Sequence, residues 1–411
     1  MNLPIPRGII CHHIIDDFKF FFKAFYVNLN NKKIISDFEN SFMTLLKTNY
    51  CLAFPYARTA IYFSLKSLNL PNGSEIIMPP LTIKGILDVV LECGLKPVFV
   101  DIDINTLCFD EKILKSKINK RTRAIIITYL YGIVPDIQSI STLCKKSKLF
   151  IIEDFSQCLN GEFKSKKIGT FGDIGVYSSS SIKTLDTYGG GLLVCKQKKI
   201  FERLKKFKDN LPPPNRFHLL NKIATDLIRN IATNRYFFTI VTFPLLKIMN
   251  FIKPGSIIKQ TGERNIDMIK KFPKEWLYSF SSLQAEIGLK YIKKLHHIDS
   301  LRILNSDYIK KNVKINFPLG TKQTKNVYWQ LVAYFSNPID AQKLLHKYRI
   351  DSARSSLLNI SNLPTYPYRN LTPTANKLYS TGIFIPSFHT LSKSDINYLV
   401  KILRKVLHLI K

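Results

Sequence analysis

"SSSSIKTLDTYGGG", residues 178–191, sets one lysine, Lys183, between four serines and three glycines. The flanking stretches "DIGVYSS" (173–179) and "GGLLVC" (190–195) read as buried strands. Their Val, Ile and Leu run on continuously instead of alternating with polar residues, the pattern of strands covered on both faces. Working outward, "EIIMPP" (75–80), "KPVFVDID" (96–103), "RAIIITYLYG" (123–132) and "LFIIEDF" (149–155) read the same way. Between them lie helical patterns, "IKGILDVVLECG" (83–94), with a glycine stop, and "DIQSISTLCKKS" (136–147). Strand, helix, strand in repetition predicts an α/β fold with a mainly parallel sheet and helices on both faces. In such sheets ligands bind beyond the carboxyl ends of the strands, and Lys183 stands just beyond one such end.

The chain has 411 residues, enough for two domains. Its 61 Lys and Arg against 29 Asp and Glu leave a net charge of +32, which implies anionic company: phosphate-bearing substrates, lipid head groups or nucleic acid. Zinc-finger spacing, an RNP-like stretch and an Arg-rich tail are all missing, so nucleic acid is not expected. Seven cysteines lie scattered without a CxxC pair, and the doublets His12–His13 and His296–His297 have no carboxylate or thiol company. No metal is expected, and the histidines read as structural or solvated. "MNLPIPRGIICHHIIDDF" has prolines and aspartates where a secretory leader carries its apolar core, which predicts a cytoplasmic protein with reduced thiols.

Residues 212–270 break the strand–helix rhythm. Phe217, Leu220, Ile223, Leu227 and Ile231 recur at helical spacing opposite Asn221, Lys222, Asp226, Arg229 and Asn230, predicting an amphipathic, basic insertion that lies near a membrane surface or else forms an extended dimer contact or a cover over the substrate mouth. Tyr236 to Ile252 is apolar but interrupted by Pro244, Lys247 and Asn250, at the lower limit for crossing a bilayer. Beyond 270 the pattern is mixed. The expected organisation is a large domain, 1–255, carrying a basic amphipathic insertion at 212–270, and a smaller α+β domain, 271–411.

Asp154 closes a buried strand, a costly place for a carboxylate without a cationic partner. An aspartate for a pyridinium nitrogen and a lysine for an aldehyde are the working pair of a pyridoxal-phosphate enzyme. Here the chain resembles a known family. From about Phe38 to Asp209, "ARTAIYFSLKSL", "GSEIIMPPLT", "KPVFVDIDINTLCFD", "IIEDFSQCLNG" and "KKIGTFGDIGVYSSSSIKTLDTYGGGLLV" follow in the order of the DegT/DnrJ/EryC1/StrS sugar aminotransferases. "SSLQAEIGLKYIKKL" (281–295) and "IFIPSFHTLSKSDI" (383–396) resemble that family's small domain.

The resemblance implies a fold type I transferase with a mostly parallel seven-stranded sheet, and pyridoxal 5'-phosphate as cofactor. It implies that Lys183 is the catalytic, cofactor-linking lysine, that Asp154 holds the ring nitrogen and Gln157 the ring hydroxyl, and that Ser178 binds the phosphate. Arg58 and Thr59 stand where the family has Gly-Thr at a helix start, a position whose free N–H groups suit a phosphate. Ile83 replaces an aromatic that stacks on the ring. Leu277 to Phe280 replace an Asn-x-Arg-Met whose asparagine reaches the partner's phosphate, a task that Asn265 or Arg264 would have to take over. A lysine at 183, where a dehydratase branch has histidine, points to transamination. The implied activity moves an amino group, from glutamate, onto a keto group of a nucleotide-linked or lipid-linked sugar for a surface polysaccharide. The implied assembly is a homodimer. The apolar stripe beside Arg216, Lys222, Arg229, Arg235, Lys247 and Lys253, not the resemblance, suggests peripheral contact of 212–260 with an anionic membrane. The alternatives are another pyridoxal-phosphate reaction, such as dehydration or a non-sugar transamination, and a non-catalytic binding or regulatory role.

Overall fold

The computed structural model describes residues 3–252, 269, 272–354, 357–363 and 372–410. All six stretches read as strands form strands, joined by one the pattern did not single out, β1 (Tyr50–Phe54). The others are β2 (Glu75–Met78), β3 (Lys96–Phe99), β4 (Thr122–Thr128), β5 (Phe150–Asp154), β6 (Ile174–Ser178) and β7 (Gly191–Cys195). They make a seven-stranded sheet in the order β1-β7-β6-β5-β4-β2-β3, in which only β7 pairs antiparallel with its neighbours.

Both faces of the sheet are covered, which explains the continuous apolar strands. Ile125, Ile127 and Ile151 enter one core with Phe38 and Phe42 of helix α2 (Lys32–Leu46), below which lies α1 (Ile14–Lys23). Ala124, Ile126 and Ile152 enter the other with Ile61 and Leu65 of α3 (Ala57–Ser67) and Val89 of α4 (Lys84–Glu92). The expected stop of α4 is Gly94, at φ +70°. Strand alternation also divides the acidic pair at the end of β5. Glu153 turns one way and accepts the N–H groups of Gly169, Phe171 and Gly172 at 2.9, 2.6 and 2.6 Å, tying down the loop before β6. Asp154, one residue on, faces the opposite side.

The insertion leaves and rejoins the body at one point, since Ser279 N–H donates to Pro212 O at 2.7 Å. It forms α5 (Arg216–Thr233), a short turn, a π-helical turn (Phe238–Thr242) and α6 (Phe243–Ile252), in which Pro244 takes up a first-turn position. Helix α5 buries Leu219, Ile223, Asp226 and Asn230 and leaves Phe217 and Ile228 outside. Two of the five polar residues set opposite the apolar stripe thus point inward, where they have polar partners: Ser181 donates to Asp226, and Asn230 Nδ2 donates to Asp17 at 2.7 Å. The remainder of the insertion lies outside the described residues.

Helix α7 (Ser282–Ile292), expected in the small domain, packs instead along α2, with Phe280, Leu283 and Ile287 in the large core. Its Gly288 lies against Phe38, where a Cβ would come within 2.5 Å of the ring. The smaller unit takes up the chain within α8 (Leu295–Asn312), whose Ile309 joins its core. There, Gly382–Ile385 pairs antiparallel with Leu331–Tyr334 on one side and Ala353–Arg354 on the other, under the helices Pro338–Lys347 and Lys393–Leu409.

Candidate active site

Asp154 and Ser178 stand at the carboxyl ends of adjacent parallel strands, with Asp154 opposite Val176 in register. One residue links them: Ser156 donates its N–H to Asp154 Oδ1 at 3.1 Å and accepts the Ser178 N–H on Oγ at 3.0 Å. Burial pushes the Asp154 carboxyl above its ordinary range, while the Ser156 hydrogen bonds and the nearby positive charge of Lys183 oppose the rise. The two side chains on which the sequence reading rests therefore share one electrostatic environment. Gln157, also buried, accepts the Tyr131 N–H on Oε1 at 2.7 Å, at a residue that adopts φ +56°.

Lys183 rides a loop that the strand ends pin on both sides. Thr187 N–H donates to Ser179 O at 2.9 Å, Ser179 N–H to Gly190 O at 3.1 Å, and Leu185 N–H to the Tyr177 hydroxyl at 2.9 Å. The residue before the lysine, Ile182, holds φ +69°, a strained conformation for a β-branched side chain. The indole of Trp329 braces it, donating Nε1–H to Ile182 O at 2.9 Å, and the same ring carries Lys183 Nζ at 3.7 Å from its centre. Trp329 was not singled out in the sequence. It comes from the smaller unit, far along the chain, and nothing local marks it.

The glycine run works by close approach. A Cβ on Gly191 would lie 2.4 Å from Ala57 N and Tyr56 C, so β7 begins directly against the start of α3. No side chain caps that helix start. Arg58 rests on the rings of Trp276 and Tyr56, 4.6 and 5.2 Å from their centres, in room left by Gly85. Thr59 is fully buried and donates its hydroxyl proton to Trp276 O at 2.6 Å, which commits the proton expected for a phosphate. Ile83 precedes α4 and is half-buried at the edge of two apolar clusters. Asn265 and Arg264 lie outside the described residues. Of the stretch that replaces Asn-x-Arg-Met, Tyr278 stands beside His218 of α5.

One of the polar residues set opposite the apolar stripe also comes to this region. Lys222 of α5 sits 4.1 Å from the centre of the Tyr56 ring and against Gly189, lining a cavity of 270 Å³ with Ser180, Ser181 and Arg229. Burial and the positive charge of Arg58 push its pKa down to about 8. An ammonium held this way, beside an uncapped helix start and two hydroxyls, suits an anion. A larger cavity, 970 Å³, lies elsewhere, between Cys11–Ile15, the end of α5, His297 and His389, and holds none of the expected site residues.

The donor set fits pyridoxal phosphate. A buried carboxylate faces the lysine's charge, a serine closes the neighbouring strand, and an uncapped helix start meets a glycine edge. The sequence model of the DegT/DnrJ/EryC1/StrS aminotransferase family matches residues 28–211. The chain is 25% identical to the GDP-perosamine synthase of Escherichia coli O157:H7 over 89% of its length and 88% of that protein's. It is 31% identical to the GDP-perosamine synthase of Vibrio cholerae over 43% of this chain and 48% of that one. The solved aminotransferase from Psychrobacter cryohalolentis superposes on 98% of the chain and all of its own length, with a TM-score of 0.76 at 18% identity.

Proposed function

We propose, for a chain that belongs to the DegT/DnrJ/EryC1/StrS aminotransferase family, that it uses pyridoxal phosphate to move an amino group onto a keto carbon of a nucleotide-linked sugar bound for a surface polysaccharide. Glutamate is the proposed donor, and the names of the two GDP-perosamine synthases support GDP as the carrier. The carrying observation is that Lys183, Asp154, Gln157 and Ser178 gather at the carboxyl ends of β5 and β6 beside the start of α3. Bound there, the cofactor supplies an electron sink for charge developing at the donor's carbon. Asp154 would hold the ring nitrogen in its protonated form, and Gln157 the ring hydroxyl. Ser178, the α3 start and Arg58 would hold the phosphate, and Ile83 would lie against the ring. Lys183 Nζ, once free, would carry the proton from one carbon to the other. Trp329 would keep that amine placed and shielded from water. A homodimer in the cytoplasm completes the proposal.

Borohydride reduction of the loaded protein, followed by peptide mapping, should fix the cofactor on Lys183, and Lys183→Ala should abolish the adduct. A half-reaction with glutamate should then return 2-oxoglutarate. An adduct that survives Lys183→Ala would overturn the assignment. Retention of lysine where dehydratases carry histidine favours transfer over dehydration, and product analysis with a panel of keto-sugar nucleotides separates the two.

A further inference from the structure

Most of the large apolar side chains that stand exposed belong to two stretches, 15–26 and 217–252. On α1 and the turn that ends it they stand at helical spacing, Ile15, Phe18, Phe22 and Phe25. On α5 they are Phe217 and Ile228, three turns apart on one side. The run after it exposes Ile240, Ile248, Phe251 and Ile252, with Phe251 88% open. These elements adjoin one another: α1 packs along α5, and α5 packs on the helical run that follows it.

The exposed charges that these helices themselves contribute have one sign, while Glu286 and Asp395 on neighbouring elements pair with Lys23 and Arg235. The only carboxylates on α1 and on residues 216–252 are Asp16, Asp17 and Asp226, and all three are buried with inward partners. Lys19, Arg229 and Lys247 remain exposed beside the apolar side chains. A face that is apolar and cationic, on a chain of net charge +32, complements an anionic bilayer surface and repels a second copy of itself.

The run Arg235–Ile252 is long and apolar enough to cross a bilayer by length and composition. It is held to the body, however. Phe238 and Phe243 are buried, Phe243 packs 4.8 Å from the His346 ring, and Arg235 pairs with Asp395 at 2.5 Å. A helix fixed along one side lies flat. We propose that α1, α5 and the run through α6 form a docking face on which the protein rests on anionic phospholipid, with the outer side chains of 236–252 entering the head-group boundary. The inference is independent of the proposed reaction and needs no substrate to test.

Flotation of the full chain at low salt with phosphatidylglycerol–phosphatidylcholine vesicles, against phosphatidylcholine alone, is the test. The wild type should float with the anionic vesicles, and binding should weaken as salt rises. The triple variant Ile240→Glu, Ile248→Glu, Phe251→Glu changes only exposed positions. It should bind more than about tenfold more weakly with an unchanged melting curve, since three apolar anchors are replaced by repelled charges. Wild type that stays in the soluble fraction, or a variant that floats equally well, would refute the proposal. So would wild type that is dimeric without binding vesicles and becomes monomeric in the variant, because the face would then belong to a second copy.

Discussion

Lys222 illustrates what a single residue contributes when its neighbours are known. It makes no ion pair with a described carboxylate, rests on Tyr56, and opens onto Ser180 and Ser181. A phosphate held there would pair with the ammonium, and a charge-assisted hydrogen bond contributes about 1.5–3 kcal/mol. Lys222→Ala should therefore weaken pyridoxal phosphate binding about tenfold or more, leave binding of unphosphorylated pyridoxal unchanged, and be rescued in part by Lys222→Arg. Fluorescence titration reads all three. The sign with pH follows from a pKa pushed down to about 8: the amine is charged below that pH and neutral above it. The phosphate gains its second charge near pH 6. Wild-type affinity should thus peak between about 6 and 8 and fall on the alkaline side, and Lys222→Ala should lose the alkaline fall. Asp154 stood out in the sequence because a charged residue at the end of a buried strand is costly, and Lys183 because it lies between a serine run and a glycine run that resemble the family's motif. Lys222 and Trp329 were not, because their significance lies in what the fold brings beside them.

Among elements, the contact of β7 with α3 depends on the absence of one methyl group. Gly191→Ala would place a carbon 2.4 Å from backbone atoms of Tyr56 and Ala57, which cannot move as a flexible side chain can. Overpacking of this kind costs about 1–3 kcal/mol, so the variant should melt at lower temperature and bind the cofactor more weakly, as calorimetry and titration would record. Helix α1 is joined to α5 and to the Lys183 loop by a buried polar cluster. His12 Nδ1 lies 3.0 Å from Asp17 Oδ1 and Nε2 lies 2.9 Å from Asp186 O, so both ring nitrogens face acceptors and the ring is held as imidazolium. Burial works against the charge, but Asp186 and Asp17 outweigh it and lift the pKa to about 9. A raised histidine pKa stabilises fully below the unfolded value near 6.5 and ceases to as pH climbs through 9. Asp186 acts over a lower window: burial and Asp226 raise its carboxyl to about 8, so its cost to the fold grows from the ordinary carboxylate range up to that pH and levels off above it, leaving the fall beyond about 8 to His12. Melting temperature should fall between pH 7 and 9.5, and His12→Gln should flatten the fall. A flat wild-type profile would remove the imidazolium from this account. The buried side of α5 was not legible because periodicity sees polarity and not partners: Asp226 and Asn230 lie opposite the apolar stripe, yet their partners are inside.

For the whole molecule, the strand–helix rhythm was enough to foresee six of the sheet's strands, because a parallel sheet covered on both sides leaves continuous apolar runs. The seventh, Tyr50–Phe54, is one short run with no such companion pattern nearby, and α7 was assigned to the wrong core since family order along the chain does not say which core a helix joins. One property of the folded chain reaches further. Its two tryptophans both touch residues of the proposed site, Trp276 accepting Thr59 and lying under Arg58, Trp329 beneath Lys183. The protein consequently carries its own optical probe: tryptophan emission arises only beside those residues, so quenching on loading would time the entry of a coloured ligand without any attached dye.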